Sequence, residues 1–356
     1  MSKICILGDT HFGARGDNPH FHRYFKQFYD NVFFPYLERE GIEYVIQLGD
    51  LFDRRKYINF HTLHQAKEYF FTPLNSKYKS WCLVGNHDTY YKNTIEVNSP
   101  GLLLKDYNNI NKIVGPYETS FDGVSILMVP WICQDNYVEV MNAIAVSKSQ
   151  ICIGHFEING FEMHKGTVCT DGIGTEIFDK FDLVISGHFH TKSKHGSINY
   201  TGTPYEMTWS DYNDPKGFHV LDTSTRELEF IENPYKMFHK FFYDDVSMDM
   251  HDILSKEDFR NYKDTIIKII IKNKTNPYMF DMFIEKMQKS DPFDIQVVED
   301  HLNLNLEDDS SIVSEAEDTL TILSKYVDHL ELSVDKQRLE NLLRNLYSEA
   351  LSMETL

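Results

Sequence analysis

The chain has 356 residues, a length that predicts about two domains. Apolar residues make up 42% of it and charged residues 25%, which provides for a sizeable core and excludes a mainly disordered protein. The formal net charge of −19 argues against a surface that is basic throughout, but residues 301–356 hold 12 acidic and 4 basic residues, so the preceding part can still carry a locally basic face.

The sequence also bears on cellular location. No apolar run approaches the roughly 18 residues that a membrane span needs, and the N-terminus lacks the apolar core of a signal peptide. The cysteines are odd in number and never form a CxxC pair: Cys5, Cys82, Cys133, Cys152 and Cys169. This argues against a disulfide framework or a thiolate zinc site. We therefore expect a soluble protein of a reducing cytoplasm, without membrane association.

One pattern recurs five times within the first 190 residues: a short apolar run, a glycine, and a polar side chain able to bind a metal. The runs are 4–7 before Gly8-Asp9, 44–48 before Gly49-Asp50, 81–84 before Gly85-Asn86, 151–153 before Gly154-His155 and 183–186 before Gly187-His188. Such runs are typical of buried strands. Stretches long enough for helices, 21–40 and 61–74, separate the first three, which favours βα crossovers and a largely parallel sheet. The five polar groups are then expected together, beyond the carboxyl ends of the strands.

Shorter β-rich segments with turn signals follow Thr191, at 197–200, 217–221 and 227–231. Asp122-Gly123 indicates an earlier hairpin, and together these segments favour a second sheet packed on the first. Asn233-Pro234 is the expected domain boundary. Beyond it we predict a small α+β domain with a strand at 266–272, a helix at 278–289 and a strand at 293–298.

The last part of the sequence, residues 301–356, differs in composition from the rest. Residues 301–317 are acidic, contain serines and are poor in large apolar side chains, so they are interpreted as a linker. In residues 318–356, leucines and other apolar residues recur at the spacing of amphipathic helices. These helices either dock on their own domain or bind a partner, and the acidic linker favours a partner. The predicted organisation is 1–233, 234–300, 301–317 and 318–356.

The strand-end groups form an ordered set of carboxylate, amide and imidazole ligands: Asp9 and His11, Asp50, Asn86 and His87, His155, and His188 and His190. Such a set predicts a site for two divalent cations. Two cations about 3.5 to 4 Å apart clamp a phosphate group, activate water and stabilise the charge on the attacking and leaving oxygens. One carboxylate must bridge them, and mixed imidazole and carboxylate ligation favours manganese, iron or zinc over calcium.

The motifs DxH, GD, GNHD, GH and GHxH, in this order, resemble those of the calcineurin-like metallophosphoesterase superfamily and cover roughly residues 4–204. Within it, VGNHD (84–88), GHFEINGF (154–161), SGHFHT (186–191) and GTP (202–204) resemble the SbcD-type DNA-repair nucleases. The resemblance implies an α/β fold: a two-sheet sandwich flanked by helices, followed by a small α+β capping domain that binds DNA and a C-terminal helical segment.

The resemblance also implies a role for each site residue. The first metal ion would be held by Asp9, His11, Asp50 and His190, and the second by Asp50, Asn86, His155 and His188. His87 would donate a proton to the leaving oxygen or stabilise the transition state. Asp53, in GDLFDRR, resembles the phosphatase-type aspartate that orients this histidine.

The implied activity is that of the nuclease subunit of a DNA recombination and double-strand-break-repair complex. Such a subunit acts as a manganese-dependent exonuclease on double-stranded DNA and as an endonuclease on single strands. Two partners besides DNA are implied. One is an SbcC-type ABC ATPase, whose coiled coil binds the C-terminal helices, and the other is a second copy of the chain, bound through helices of the nuclease domain.

Several alternatives stay open. Arg54, Arg55 and Lys192 follow two of the motifs and are candidates for contacts to DNA phosphates, with solvated surface charge as the alternative. GDLFDRR favours a phosphoprotein phosphatase or another metallophosphoesterase, which the GHxH motif and the C-terminal segments oppose. A non-catalytic scaffold on the same fold predicts broken ligand sets, whereas every expected ligand is present. His61 and His64 lack companion ligands and are predicted to lie on a helix face.

Overall fold

The computed structural model describes residues 2–164, 167–170 and 172–299. Its first sheet has six strands: Lys3–Leu7 (β1), Tyr44–Gln47 (β2), Lys79–Leu83 (β3), Ile110–Ile113 (β4), Gly217–Asp222 (β13) and Leu228–Glu232 (β14). Their order across the sheet is β14-β13-β1-β2-β3-β4. The strands β1 to β4 run parallel, whereas β13 pairs antiparallel with β1 and β14.

The second sheet also has six strands: Tyr117–Phe121 (β5), Val124–Val129 (β6), Ile151–Gly154 (β7), Leu183–Ser186 (β10), Ser193–His195 (β11) and Ile198–Tyr200 (β12). Their order is β11-β12-β10-β7-β6-β5, with only β5 and β11 antiparallel to their neighbours. Two further short strands, Glu162–His164 (β8) and Thr167–Val168 (β9), pair with each other.

The core between the two sheets follows from the alternation of side chains along each strand. Ile4 and Ile6 of β1 belong to a buried cluster that includes Ile153 and Ile185 of the second sheet. The intervening Cys5 and Leu7 belong to a different buried cluster, on the opposite face of β1. Because β1 is buried on both faces, its sequence is a continuous apolar run.

Helices cover that opposite face. The long helix α1 (19–40) consists of Pro19–Phe28, a wider π-helical turn Tyr29–Phe33, and Phe34–Glu40. The helix α2 (60–77) is built in the same way from Phe60–Ala66, Lys67–Phe71 and Thr72–Lys77. The side chains of Asn18 and Asn59 accept hydrogen bonds from backbone N–H groups in the first turns and so begin the helices. Aromatic rings on both helices form most of the packing against the sheet.

Shorter helical segments complete the sandwich: Ser99–Leu103 (α3), Tyr137–Val146 (α4), and the single turns Ala14–Asp17, Thr175–Phe178 and Trp209–Asp211. Val140 and Ile144 of α4 are buried against the outer face of the second sheet, in a cluster with Leu127 and Cys152. The second sheet is therefore also covered by apolar packing on its outer face.

A third, three-stranded sheet follows the sandwich. Its strands Phe238–Asp244 (β15), Ile266–Asn273 (β16) and Asp294–Glu299 (β17) are parallel. The helices Met250–Lys256 (α5) and Pro277–Lys289 (α6) connect them, with a short turn at Phe259–Tyr262. Phe283 of α6 is fully buried against β15 and β16. The sandwich holds this sheet through Glu206, whose carboxylate accepts hydrogen bonds from the backbone N–H groups of Met237 and Phe238.

The structure confirms the predicted α/β class, the two-sheet sandwich and all five strands of the recurring pattern. It corrects one expectation: the segments near 217–221 and 227–231 extend the first sheet and do not join the second. The reason is that β13 pairs antiparallel with β1, so these two late strands are added to the sheet that contains the first strand of the chain. In the second sheet, β12 pairs with β10 and the Asp122-Gly123 hairpin joins β5 to β6.

In the third sheet, the predicted strands and helix are present at 266–273, 277–289 and 294–299, while β15 and α5 were not predicted. The boundary at Asn233-Pro234 stays a prediction. The predicted linker 301–317 and helical segment 318–356 lie outside the described residues. No helix in the described part of the chain has the length and apolar character that crossing a membrane requires.

Candidate metal centre

Five strands of the two sheets end at a common edge, and each is followed by a polar side chain. β1, β2 and β3 of the first sheet lead to Asp9, Asp50 and Asn86, and β7 and β10 of the second lead to His155 and His188. The carboxyl ends of these parallel strands meet where the two sheets face each other. The sequence therefore predicted correctly that groups distant along the chain converge.

The first group of candidate ligands consists of Asp9, His11 and His190, whose ligand atoms lie within 4.8 Å of one another. The Nε2 atoms of His11 and His190 are 3.1 Å apart, and Nε2 of His190 is 4.0 Å from Oδ2 of Asp9. Among the described residues, Oδ1 of Asp9 has no hydrogen-bond partner although it is buried. An unsatisfied buried carboxylate oxygen is costly, and a divalent cation at this position would satisfy it.

The second group consists of Asp50, His155 and His188, again within 4.8 Å of one another. Asn86 joins this group, because its Oδ1 lies 2.9 Å from Nε2 of His155 and 2.9 Å from Nδ1 of His188. Nδ1 of His155 contacts the backbone oxygen of Leu48 at 2.8 Å, which directs Nε2 toward the group. One carboxylate, one amide oxygen and two imidazole nitrogens therefore face a common point.

Asp50 lies between the two groups. Its Oδ2 is 3.6 Å from Nε2 of His11 in the first group and 3.5 Å from Nε2 of His155 in the second. Its Oδ1 accepts a hydrogen bond of 2.7 Å from the backbone N–H of His87. The carboxylate of Asp50 is therefore within reach of both ligand groups.

The pKa values of the candidate ligands are shifted in both directions. Burial raises the pKa of Asp9 well above its usual range. Burial also tends to raise the pKa of Asp50, but the imidazoles of His155 and His11 hold the pKa of this carboxyl well below its usual range. Burial lowers the pKa of His11, and lowers that of His188 to about 3. Burial tends to lower the pKa of His155, but the carboxylates of Asp50 and Asp9 raise it to about 9. Ionised carboxylates and neutral imidazoles are the forms that bind divalent cations, so the shifts at Asp50, His11 and His188 favour such ions, whereas a cation would have to displace a proton at Asp9 and His155.

The backbone of the site is strained. Three candidate ligands have left-handed backbone conformations, His11 at φ 41°, Asp50 at φ 52° and His188 at φ 85°. Non-glycine residues adopt this region rarely and at a cost of about 1–3 kcal/mol, typically at functional sites. Glycines make the close approach possible: a Cβ on Gly85 would lie 2.2 Å from Oδ1 of Asp50, and one on Gly49 would lie 2.7 Å from Nδ1 of His155. The glycine of the recurring motif is thus a spatial requirement of the site.

His87 lies beside the two groups and is partly exposed. Its Nδ1 donates to the backbone oxygen of Asp53 at 2.6 Å, and its ring packs edge-on against His11 with centroids 4.9 Å apart. The resemblance implied that the carboxylate of Asp53 orients this histidine. The backbone oxygen accepts this hydrogen bond, and the carboxylate lies 3.6 Å from Nδ1 of His11 and within 4.8 Å of a ring nitrogen of His87, so the orienting role of Asp53 stays a prediction.

Two residues without an assigned role hold the loops of the first sheet together. The carboxylate of Asp88 accepts hydrogen bonds from Leu51 N, Gly85 N and Ser99 Oγ at 3.0, 3.0 and 2.7 Å. Burial, with Asp50 nearby, raises the pKa of Asp88 to about 6. The buried amide of Gln47 donates to the backbone oxygen of Gly49 at 2.6 Å. Asp88 is part of the GNHD motif, whereas Gln47 carries no signal in the sequence.

Lys216 supports the second sheet's side of the site. It is 1% exposed, and its Nζ lies 2.7 Å from Asp211 Oδ1 and 2.8 Å from Asp214 Oδ2. The same Nζ donates to the backbone oxygen of His190 at 2.8 Å. A buried lysine between two carboxylates fixes the loop that carries His190. Sequence reasoning missed Lys216 because it lies 26 residues beyond its target and belongs to no motif.

The candidate phosphate-binding residues have different surroundings. Arg54 is half-buried and pairs with Asp17 at 3.0 Å, next to the loop that orients His87. Arg55 is also half-buried, and its Nη1 has no hydrogen-bond partner among the described residues. Nζ of Lys192 lies 3.5 Å from the centre of the Phe230 ring, on the first sheet's edge strand. The histidines His61 and His64 are exposed on α2, as predicted.

Comparisons with known proteins agree with this site. Residues 2–192 match the model of the calcineurin-like phosphoesterase family. The chain is 31% identical to exonuclease subunit 1 of Enterobacteria phage T4 over 358 residues, covering 98% of this chain and 99% of that protein. It is 24% identical to the SbcD component of nuclease SbcCD of Staphylococcus epidermidis, covering 68% of this chain and 73% of that protein.

These similarities confirm the resemblance on which the sequence predictions depended, including that to the SbcD-type nucleases. They also confirm the expectation of a metal-dependent phosphodiester hydrolase. The family match covers all seven candidate ligands, because the last of them, His190, lies within residues 2–192. The chain belongs to the calcineurin-like phosphoesterase family.

Proposed function

We propose that this protein is the nuclease subunit of a DNA recombination and double-strand-break-repair complex, acting as an exonuclease on double-stranded DNA and an endonuclease on single strands. The observation that carries the proposal is the position of Asp50, with one oxygen within 3.6 Å of an imidazole in each of two ligand groups. The end-to-end similarity to a phage exonuclease subunit supports DNA as the substrate.

In the proposed centre, Asp9, His11, Asp50 and His190 would hold one ion, and Asp50, Asn86, His155 and His188 would hold the other. Two ions bound there would supply binding of the phosphate, a lower pKa of water and stabilisation of charge on the attacking and leaving oxygens. Imidazole and carboxylate donors without thiolates suit manganese, iron or zinc, and manganese is the ion we expect from the resemblance to the SbcD-type nucleases.

His87 is the proposed proton donor to the leaving oxygen. The hydrogen bond of Nδ1 to the backbone oxygen of Asp53 fixes the tilt of the ring, and leaves Nε2 to carry the proton to the substrate. The carboxylate of Asp53 has a separate role in this proposal, as a partner of His11 Nδ1 at 3.6 Å. Arg54, Arg55 and Lys192 are proposed contacts to DNA phosphates, of which Arg54 lies in the loop next to His87.

The proposed organisation has a nuclease domain at 1–233, a DNA-binding capping domain at 234–300, a linker at 301–317 and a segment at 318–356 that binds the coiled coil of an ABC ATPase. The similarity to subunits of two-component nucleases supports the ATPase partner. A homodimer through the nuclease domain is supported by large apolar side chains exposed on its helices, Phe60 at 90% on α2 and Leu102 at 56% on α3. The expected location is the cytoplasm, that of the host cell for a phage protein.

The test is cleavage of linear double-stranded DNA in manganese and in magnesium by the wild type and His87→Ala. We expect manganese-dependent degradation that falls by about 10²- to 10⁴-fold in the variant, because a positioned general acid is lost while the ligands remain. Metal content should stay unchanged, and His61→Ala, which removes an exposed histidine, is the matched control.

Two results would contradict these assignments. Loss of bound metal in His87→Ala would make this residue a ligand. Release of phosphate from phosphopeptides, without degradation of DNA by the subunit alone or with its ATPase, would favour the phosphatase alternative.

A further inference from the structure

A hydrogen-bond network connects the loops of the first sheet to the helices α1 and α2. It begins at Arg54, whose Nη1 donates to Oδ2 of Asp17 at 3.0 Å. The other carboxylate oxygen of Asp17, Oδ1, accepts from Oγ1 of Thr62 at 2.6 Å. Oγ1 of Thr62 lies 2.8 Å from Nε2 of His22, and Nδ1 of His22 lies 3.4 Å from the hydroxyl of Tyr69. The network therefore leads from a half-buried arginine into the helical layer.

The directions of these hydrogen bonds follow from the number of hydrogens available. Thr62 has one hydroxyl hydrogen, which it donates to Asp17, so its oxygen accepts from Nε2–H of His22. Burial lowers the pKa of His22, which favours the neutral ring that this arrangement requires, with Nδ1 accepting from Tyr69. Thr62 is 1% exposed and His22 is 3% exposed, so water does not compete for these bonds. The donors of the network all point toward Asp17 and hold its carboxylate in place.

Asp17 and Arg54 lie beside the metal centre on two different loops. Asp17 follows His11, a candidate metal ligand, in the loop after β1. Arg54 directly follows Asp53, whose backbone oxygen accepts a hydrogen bond from Nδ1 of His87. The pair therefore joins the loop of a candidate ligand to the loop that contacts the proposed proton donor.

The guanidinium of Arg54 is held in place but keeps most of its donors. The centre of the Tyr57 ring lies 5.0 Å from its Cζ, and a Cβ on Gly16 would lie 3.7 Å from its Nη2. Because Thr62 occupies one oxygen of Asp17, the carboxylate does not take up the guanidinium through two parallel hydrogen bonds. Among the described residues, the hydrogen bond of Nη1 is the only one that this guanidinium makes, and the side chain is 37% exposed. Nε and Nη2 are therefore available to donate to a ligand.

We propose that Asp17, fixed by Thr62 and His22, is a positioning residue that holds the guanidinium of Arg54 so that its remaining N–H groups bind a phosphate of the DNA substrate. This inference rests on the proposed function, which supplies DNA as the substrate. The planar guanidinium matches two phosphate oxygens, and a group that is held before binding loses less conformational freedom on binding. Asp17 thus acts on substrate binding through Arg54, without contact to the reacting atoms.

The experiment removes the hydroxyl of Thr62 without a change in charge. Thr62→Val keeps the shape of the side chain and loses the hydrogen bond to Asp17, whereas Thr62→Ser keeps the hydroxyl and loses a methyl group. Cleavage of linear double-stranded DNA by the full-length protein in manganese gives KM and kcat. Fluorescence anisotropy of a labelled duplex in EDTA gives Kd without cleavage. In Thr62→Val, KM and Kd should rise about three- to tenfold while kcat changes by less than about twofold, and Thr62→Ser should bind DNA like the wild type.

Arg54→Ala completes a double-mutant cycle. This variant should raise Kd about tenfold, a loss of about 1.4 kcal/mol, and should reduce the slope of log Kd against log salt concentration by about 0.9, because one phosphate contact is lost. Thr62→Val should have no further effect on Kd when Arg54 is absent, since Thr62 acts through Arg54. Lys105→Ala, which makes the same change in charge at an exposed residue, is the control and should bind like the wild type.

Three results would overturn the inference: an unchanged Kd in Thr62→Val, equal weakening in Thr62→Ser, or additive effects of Thr62→Val and Arg54→Ala. The thermal unfolding midpoint checks that the variants fold. Tyr57 is 61% exposed, so Tyr57→Leu keeps the inference testable if Thr62→Val does not fold. Loss of the ring beside the guanidinium should raise Kd about two- to fivefold, and only when Arg54 is present.

The same measurements separate this inference from the proposed function. Binding of DNA with the expected pattern among the variants, but without cleavage, would contradict the proposed function and support the inference. Cleavage of DNA with the same KM in the wild type and Thr62→Val would contradict the inference alone. Absence of both binding and cleavage in the wild type would overturn both.

Discussion

The two sheets of the sandwich hold their parts of the metal centre by different means. In the first sheet, neighbouring loops are joined through the backbone: the N–H groups of Thr10 and His11 both donate to the backbone oxygen of Asp50, at 3.1 and 3.0 Å. The side chains of Asp88 and Gln47 that also hold these loops belong to the same loops and strands. The second sheet has a backbone contact too, from Gly187 N–H to Gly154 O at 3.1 Å, but its ligands depend in addition on side chains from elsewhere: the N–H of His188 donates to Asp9 Oδ2, and the oxygen of His190 accepts from Lys216. The ligands that follow strands of the first sheet should therefore resist changes in remote side chains, whereas His188 and His190 should not.

The largest effect is expected from Asp50→Ala, which removes the carboxylate whose Oδ2 lies within 3.6 Å of an imidazole nitrogen in each ligand group. Both metal ions should be lost, and cleavage should fall by about 10³-fold or more, since metal-assisted charge stabilisation is worth several kcal/mol. Metal analysis and DNA cleavage measure the two effects. The control is Asp106→Ala at an exposed aspartate. Two ions bound normally in Asp50→Ala would contradict a bridging role.

A smaller effect is expected from His190→Ala, which removes a candidate ligand of the first group only. This variant should keep the ion at Asn86, His155 and His188 while the other ion binds more weakly, so the metal content should fall from two ions toward one. The exposed His195 is the matched control. Simultaneous loss of both ions would show that the two ligand groups cannot bind their ions independently of each other.

Lys216→Met tests whether a remote side chain controls the position of His190, a candidate ligand that follows a strand of the second sheet. The variant leaves the buried Asp211 and the partly buried Asp214 without their cation, which should lower the free energy of unfolding by about 3–5 kcal/mol. It should also weaken metal binding through His190. Chemical denaturation and metal titration measure these effects. Lys236→Met, which breaks a pair with Glu232 at 3.5 Å near the surface, should cost no more than about 1 kcal/mol. Equal effects of the two variants would contradict the comparison.

The smallest effect on cleavage is expected from truncation after residue 314, which leaves both ligand groups intact. Manganese-dependent degradation by the isolated subunit should stay unchanged, and association with the ATPase should be lost. Pull-down with the ATPase measures this association. If association were unchanged, the alternative in which residues 318–356 pack on their own domain would be favoured.

The sequence predicted the candidate ligands better than the residues that hold the ligand loops in place. The candidate ligands could be found because each follows an apolar run and a glycine, a local pattern fixed by strand geometry and close packing. Pairing was harder to predict, because β13 and β14 carry no local signal that tells which sheet they join. The role of Lys216 depends on a contact between residues 26 positions apart. The atom of Asp53 that contacts His87 is a backbone oxygen, and residue types do not reveal such contacts.

The closure of the centre across two sheets has a thermodynamic consequence. Its ligands span residues 9–190, so an unfolded chain would have to close long loops to bring them together, and it should bind divalent cations far more weakly than the folded one. Metal binding is therefore linked to folding of the whole sandwich, and at a concentration 100 times the dissociation constant one bound ion stabilises the folded state by about 2.7 kcal/mol. Bound metal ions would thus link residues of the two sheets. Removal of the ions by a chelator should lower the unfolding temperature of the sandwich as well as abolish hydrolysis.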